Sequence, residues 1–332
     1  MRHAFVTGAA GFIGAACCAR LLEAGWRVTG LDAMTDYYDV TLKEARLAPL
    51  RAHDRFDFVQ DYVETPGRLR GMFAGGRFDL VIHLAAQAGV RYSLENPRAY
   101  LDSNVTGTFE LLEAAREFPP GHLLLASTSS VYGANDKMPY AETDRADHQM
   151  SFYAATKKAT EAMAHAYAHL HGLPTTMFRF FTVYGPWGRP DMAPFKFTRA
   201  ILEGRPIDVY NHGRMRRDFT YIDDLVEGIL ALADAVPGAA PVAGDSLSPV
   251  APFRVVNIGN ASPVELGDFI AAIEAALGRK AERNLMEMQP GDVPATWADT
   301  ALLQALTGKV PGTPVTEGVA RFVAWYREYY GV

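Results

Sequence analysis

Cysteine is almost missing from this sequence. Only Cys17 and Cys18 occur in 332 residues, and they are neighbours. Adjacent cysteines build no disulfide framework, which points to a reducing, cytoplasmic compartment. A basic surplus is lacking too. Against 38 Asp+Glu stand 32 Lys+Arg, a formal charge of −6, so nucleic acid is not an expected partner. No apolar run approaches the roughly 18–20 residues of a membrane span, so a membrane is not expected either. Internal repeats and low-complexity tracts are absent. The N-terminus, one Arg and then an apolar stretch, resembles a signal peptide. Regularly spaced glycines and a run into a second predicted strand argue against that reading.

What is present is the mixture of a globular chain. Hydrophobic residues make up 49% and charged residues 21%, enough for a sizeable core, and at ~150 residues per domain the length predicts about two domains. Short apolar runs at His3–Val6, Arg27–Leu31, Phe56–Gln60, Leu80–His83, His122–Ala126 and Thr175–Arg179 read as strands. Several lack polar alternation, as buried parallel strands do. Between them Phe12–Ala24, Thr65–Phe73, Arg98–Phe118 and Phe152–Leu170 read as helices. This alternation predicts an α/β fold, a Rossmann-type doubly wound parallel sheet with helices on both faces. After Phe181 the rhythm breaks. Gly185–Pro194 is crowded with glycine and proline, and Pro237–Pro252 is an Ala/Pro/Gly-rich insertion. A strand at Phe253–Ile258 follows, then helices at Val264–Leu277, Asp299–Leu306 and Thr316–Tyr330. The expected division is a nucleotide-binding domain over 1–181, rejoined by segments near 213–258, and a smaller C-terminal α/β lobe over 182–332. A ligand crevice is expected between them.

Val6–Gly14 reads V-T-G-A-A-G-F-I-G. Gly8 allows a tight turn, Gly11 lets backbone approach a pyrophosphate, and Gly14 permits close helix–strand packing. The spacing is G-x-x-G-x-x-G rather than G-x-G-x-x-G. Asp32 closes the second strand 18 residues after Gly14, where a carboxylate accepts from ribose hydroxyls and repels a 2′-phosphate, favouring NAD over NADP. Asp61, after the third strand, fits an adenine contact and equally a helix cap.

Tyr153 and Lys157 share one face of a helix at i, i+4 spacing. A tyrosine, at roughly pKa 10, is a poor base at neutral pH; a neighbouring ammonium and a nicotinamide cation are expected to lower it. Ser127–Thr128–Ser129–Ser130 follows the fifth strand, where a hydroxyl can share the substrate proton.

With these in order, the sequence resembles the extended short-chain dehydrogenase/reductases that act on nucleotide sugars, over nearly its whole length. Within that family it is most similar to the group that inverts C4 of UDP-glucuronate. The segments are His83–Ser93 (HLAAQAGVRYS), Tyr153–Lys158 (YAATKK), Arg179–Ala193 (RFFTVYGPWGRPDMA), Arg217–Asp224 (RDFTYIDD) and Gln289–Pro294 (QPGDVP). The resemblance implies tightly bound NAD+, regenerated each turnover, contacting Gly8, Gly11, Phe12, Ile13, Gly14, Asp32, Asp61, Leu84, Ala85, Ala86, Gln87, Asn104, Tyr153, Lys157 and Phe180. It implies Tyr153, Lys157 and Thr128 as catalytic residues. For a UDP-sugar substrate it implies Arg91, Thr128, Ser129, Ser130, Thr182, Arg189, Lys196, Arg217 and Asp292. Arg217 would pair with the diphosphate. Ser129, Ser130 and Thr182 would grip the sugar carboxylate, unless the serines only cap the strand end. Helices Arg98–Phe118 and Phe152–Leu170 resemble a pair that forms a four-helix bundle between two copies, implying a homodimer.

Neighbouring activities fit less well. The related 4,6-dehydratases carry Asp-Glu after the threonine, where this chain has Ser129–Ser130, unable to act as that acid. UDP-glucose/galactose epimerases carry Asn where Thr182 stands. The Gly185–Ala193 loop with Arg189 departs from the UDP-glucuronate decarboxylases. A non-catalytic NAD-sensing regulator would have no use for the Tyr153/Lys157 pair. One departure from the family is Gln149–Met150, where proline is usual. His165, His169 and His171 suggest a metal face, since His165 and His169 share i, i+4 spacing, but no carboxylate or Cys completes a site there. No metal is expected; these histidines read as exposed or interface residues. Phe180, Phe181 and Tyr184 are expected to pack around the cofactor, and the cysteines to lie in the core.

Overall fold

Apolar strands without polar alternation need cover on both faces, and in the structure, a computed structural model, they have it. All residues are described except Ala239 and Pro290. In chain order come β1 (His3–Thr7), α1 (Phe12–Glu23), β2 (Arg27–Asp32), α2 (Val40–Arg51), β3 (Phe56–Gln60), α3 (Arg68–Ala74) and β4 (Leu80–His83). The short α4 (Tyr92–Glu95) and α5 (Pro97–Tyr100) precede α6 (Gly107–Glu117), β5 (Leu123–Thr128), α7 (Phe152–His171) and β6 (Thr175–Phe180). Then follow β7 (Thr182–Tyr184), α8 (Ala193–Leu202), β8 (Ile207–Val209), β9 (Arg216–Tyr221), α9 (Ile222–Leu232) and β10 (Phe253–Ile258). The chain ends with β11 (Pro263–Glu265), α10 (Leu266–Leu277), β12 (Arg283–Leu285), α11 (Ala301–Thr307) and α12 (Val315–Tyr330).

Seven strands form one sheet in the order β3-β2-β1-β4-β5-β6-β10, every pair parallel. All residues of β4, β5 and β10 are buried. Along β1 the two-residue period splits the core: Ala4 and Val6 join Cys17 and Cys18 on one face, while Phe5 packs with Phe73 and Phe78 on the other. Each fully buried side chain of this kind contributes about 1.5–3 kcal/mol. The strand order reverses at β1, which pairs with both β2 and β4, so a crevice opens at the strand C-termini there. Beyond β6 lie a three-stranded sheet, β11-β9-β7, and a two-stranded one, β12-β8.

Several elements depart from the sequence reading; α8, α9 and the short strands β7, β8, β9 and β12 were not expected. Helix α2 was not expected, because its inward face includes two cations, Lys43 and Arg46, beside Leu42, Leu47 and Leu50. The single helix expected over Arg98–Phe118 is divided into α5, a π-helical stretch at Leu101–Thr106, and α6. Val264 belongs to β11, whose pairing with β9 delays the helix to Leu266. Part of the Pro237–Pro252 insertion, Ala239, and part of Gln289–Pro294, Pro290, lie outside the described residues.

Candidate active site

The glycine turn leaves no room for side chains. Gly8 has φ +71°, and a Cβ there would lie 2.9 Å from the Ala85 nitrogen; at Gly14 it would lie 2.0 Å from the Gly8 carbonyl oxygen. Thr7 locks the turn to the next segment. Its Oγ1 accepts from the Leu84 and Ala85 amides at 3.2 and 3.1 Å and donates to His83 Nδ1 at 2.7 Å. Burial pushes His83 down to about 3, so this imidazole stays neutral and can accept. Asp32 is 8% exposed. Its carboxylate accepts from the Ala10 amide at 3.0 Å and the Met34 amide at 2.8 Å, which stations one negative charge beside the glycine turn. Phe12 is buried in the core and Ile13 packs against it. Their backbone at the start of α1 is what remains for an anion. The side chain of Asp61 is engaged: it accepts from the Tyr62 amide and Thr65 hydroxyl and pairs with Arg68 at 2.8 Å. It caps no helix, because α3 opens at Gly67 without a side-chain cap.

Asn104 sits in the π-helical stretch, 1% exposed. Its amide accepts from the Gln87 amide at 2.9 Å and donates to the Gln87 carbonyl at 3.1 Å and Thr156 Oγ1 at 3.0 Å. The Leu84–Gln87 segment is thereby tied to α7. Ala86 and Gln87 are half-buried.

Helix α7 starts where the Ser151 hydroxyl accepts from the Ala154 amide at 3.1 Å, which places Tyr153 and Lys157 at its opening turns. Tyr153 is half-buried, with its ring 5.9 Å from that of Tyr100. Lys157 is 4% exposed and donates to the Ala126 carbonyl at 2.9 Å. Burial lowers Lys157 to about 8. The expected lowering of Tyr153 is not what the protein imposes: burial pushes the phenol above its ordinary value, and the Thr128 hydroxyl and Arg189 pull it back only in part. Lys157 thus reaches a backbone carbonyl of β5, a central strand, and desolvation dominates both groups.

The hydroxyl run divides by strand geometry. Ser127, pointing to the opposite face from Thr128, donates to Glu161 at 2.6 Å, inside a buried pair in which Arg179 meets Glu161 bidentately at 2.9 and 2.8 Å. It belongs to this support rather than to the site. Thr128 accepts from the Ser130 amide at 3.2 Å, starting the 3-10 turn Ser129–Tyr132. Capping is thus done by Thr128. Ser129 and Ser130 line a cleft with Met150, Ser151, Gly291 and Asp292. Gln149, in the place where proline was expected, holds this loop by donating to the Val131 and Ala146 carbonyls at 3.2 and 2.5 Å.

Arg217 pairs with Asp292 at 2.9 Å, and burial lowers it from the ordinary arginine value. Arg189 pairs with Asp191 at 3.0 and 2.5 Å, and Tyr37 donates to the same carboxylate at 3.3 Å. Thr182 is half-buried on β7. Arg91 is exposed, its guanidinium 4.4 Å over the Tyr210 ring, and Lys196 is exposed on α8; neither lines the cleft of Ser129 and Asp292.

The aromatic expectations hold unevenly. Phe180 is half-buried against Phe178. Phe181 packs with Tyr132, Tyr140 and Ala298 in a small separate cluster, and Tyr184 packs with Phe219, Tyr221 and Phe269 in the main core. Cys17 and Cys18 are buried and unpaired with each other, and burial pushes Cys17 up to about 12. His165 meets Ser248 at 2.9 Å and His169 the Val250 carbonyl at 2.7 Å. Among the described residues no group of His, Cys, Asp and Glu is arranged to hold a metal. Residues the sequence reading missed include Tyr37, Tyr100 and Arg46, which lie outside the quoted segments, and Asp191 inside one; helices α2 and α5 and two separate loops supply them.

Residues 4–244 match the family model described as NAD dependent epimerase/dehydratase family. A probable UDP-glucuronate 4-epimerase of Rhizobium meliloti is 57% identical, over 99% of this chain and 98% of its own. UDP-glucuronic acid 4-epimerase from Bacillus cereus, solved in complex with UDP-glucuronic acid and NAD, superposes with a TM-score of 0.88 at 32% identity, over 99% of this chain and 100% of that one. A double mutant of the dTDP-glucose 4,6-dehydratase DesIV from Streptomyces venezuelae reaches 0.87 at 27% identity, over 100% and 98%. Backbone shape alone therefore does not separate these activities. No helix among the described residues is long and apolar enough to cross a membrane. With the glycine turn, Asp32 and the Tyr153/Lys157 helix assembled at one crevice, and the family model matching most of its length, this chain belongs to the NAD dependent epimerase/dehydratase family.

Proposed function

We propose that this chain interconverts UDP-glucuronate and UDP-galacturonate by inverting C4. The observation that carries this reading is the row Thr128–Ser129–Ser130. One hydroxyl stands beside the Tyr153 phenol, and two stand in the adjoining cleft where a dehydratase needs an acid. The glycine cradle and the Asp32 carboxylate fit NAD+, which when bound supplies the acceptor and returning donor of the C4 hydride. Tyr153 takes the O4 proton and gives it back, and Thr128 shares that oxygen. Lys157, brought to about 8 by burial, exchanges protons near neutral pH one helical turn away. Arg217, held by Asp292, meets the diphosphate, and its planar fork suits that bidentate contact. Ser129, Ser130 and Thr182 hold the sugar carboxylate out of alignment with the C4 carbonyl, which suppresses loss of CO2 from the 4-keto sugar. Arg91 and Lys196 contribute from the rim. Residues 1–181 with β10 hold the cofactor, and 182–332 mainly the UDP-sugar.

Exposed Leu94, Leu101, Phe109 and Phe152 lie on neighbouring helical segments from α4 to α7, and they support a homodimer. Sedimentation at micromolar concentration tests it; a monomer would refute it. Two free, buried thiols suit a cytoplasmic enzyme. Incubation of the purified protein with UDP-glucuronate tests the activity. UDP-galacturonate is the expected product. Its absence, with UDP-galactose formed readily from UDP-glucose, would overturn the reading.

A further inference from the structure

Arg46 carries none of the roles assigned above, yet it is 4% exposed, and among the described residues its guanidinium donates only to uncharged oxygens. Nε and Nη2 donate to the Trp187 carbonyl at 3.1 and 2.6 Å, and Nη2 also to the Gly188 carbonyl at 3.1 Å. On the other edge, Nη1 donates to the Ala10 carbonyl at 3.2 Å and the Tyr38 hydroxyl at 2.8 Å. A buried cation without a carboxylate is costly, and a full set of oriented acceptors is what offsets it. Only a planar fork reaches both sets at once; a lysine ammonium is a single point.

The two ends of this bridge are functionally distinct. Ala10 lies inside the glycine turn. Trp187 and Gly188 immediately precede Arg189, whose Nη2 lies with the Tyr37 and Tyr100 hydroxyls around Gly89, and the Tyr100 ring contacts that of Tyr153. Trp187 itself has φ +64°, a conformation a bulky residue adopts only when its surroundings impose it. Its carbonyl is held by Arg46, and its ring lies 5.2 Å from both Trp325 and Tyr329 of α12. The strained residue is thus gripped by the nucleotide side through its backbone and by the C-terminal helix through its ring.

We propose that Arg46 is a positioning residue that joins the cofactor turn to the substrate loop, setting the backbone at Trp187–Gly188 and so the placement of Arg189 against Tyr153 and the sugar. The proposal rests on the function given above. The test compares calorimetric binding of UDP and of UDP-glucuronate to the NAD-loaded protein. Arg46→Lys keeps the charge and loses the fork. It is expected to weaken UDP-glucuronate by about tenfold, the scale of a lost hydrogen bond to a charged group, while UDP binds as before. KM is expected to rise more than kcat falls, and the acidic limb of the pH–rate profile, set by the Tyr153 base, to move upward as Arg189 leaves it. Glu44→Gln, exposed on the same helix, serves as the control and should change neither. Where Arg46→Lys does not fold, Trp187→Gly relieves the left-handed strain but frees the ring, and the same sugar-selective loss is expected. Equal weakening of UDP and UDP-glucuronate, or no weakening of either, overturns the proposal. A wild-type protein that binds UDP but not UDP-glucuronate defeats the functional reading instead. The same comparison is then made with the UDP-sugar it turns over.

Discussion

The two ends of the crevice are built by different means. At the cofactor end the chain removes side chains, and backbone from β1, α1 and the segment after β4 closes to contact distance around Gly8 and Gly14. At the substrate end it adds them, drawing Ser130, Asp292 and Arg217 from parts of the chain far apart in sequence. The first construction tolerates no added atom; the second is a set of separable contacts. Damage at the glycine turn should therefore be all-or-none, and damage at the substrate end graded.

The largest effect expected is that of Gly14→Ala. Its Cβ would meet the Gly8 carbonyl at 2.0 Å, and overpacking against backbone costs about 1–3 kcal/mol or more. Release of NAD on denaturation should show an essentially cofactor-free protein; a fully loaded variant would break the contrast. Next comes Tyr153→Phe, which should lose at least ~10²-fold in rate with NAD still bound. Near-normal turnover would place the base elsewhere. Arg217→Lys keeps the charge and loses the fork; the loss of a charged hydrogen bond worth about 1.5–3 kcal/mol should raise KM by roughly ten- to hundredfold. Unchanged KM would remove Arg217 from the diphosphate site. Ser130→Ala and Thr182→Ala should each shift products toward CO2 and a UDP-4-keto-pentose by about tenfold, with absorbance of reduced cofactor appearing. Unchanged product ratios and no such absorbance would show that neither hydroxyl restrains the carboxylate.

Stability offers a last comparison. Burial lowers Lys157 from 10.5 to about 8, so between those values the unfolded chain binds more protons than the folded one. Stability from this group therefore rises with pH across that window and is least below it, by about 3 kcal/mol at most. Lys157→Met should remove that rise in denaturant melts at a series of pH values while abolishing activity. An unchanged slope would mean that Lys157 is not desolvated.

Much of this was legible in the residues because it is local. Consecutive apolar runs with glycine stops specify parallel strands and their helices, and V-T-G-A-A-G-F-I-G places a turn whose tightness needs no knowledge of the rest. Strand β10 was readable at its own ends, Phe253 and Ile258. Helix α2 was not, since its buried face contains Lys43 and Arg46, and a hydrophobic pattern treats both as solvent. The alternation that turns Ser127 toward Glu161 and leaves Thr128 by Tyr153 was present in the strand period, yet which of the two faced the chemistry depended on where α7 packs.

What the sequence determined by itself is the central parallel sheet and its glycine turn, because propensity, periodicity and glycine sterics act over a few residues. Only the tertiary structure decided their electrostatic condition and company. Tyr153 is raised rather than lowered because desolvation depends on everything packed around it. Asp61 acquires Arg68 as a partner. Arg46 joins two loops whose carbonyls no motif announces, because backbone acceptors look alike in every sequence and acquire a partner only when the chain has closed.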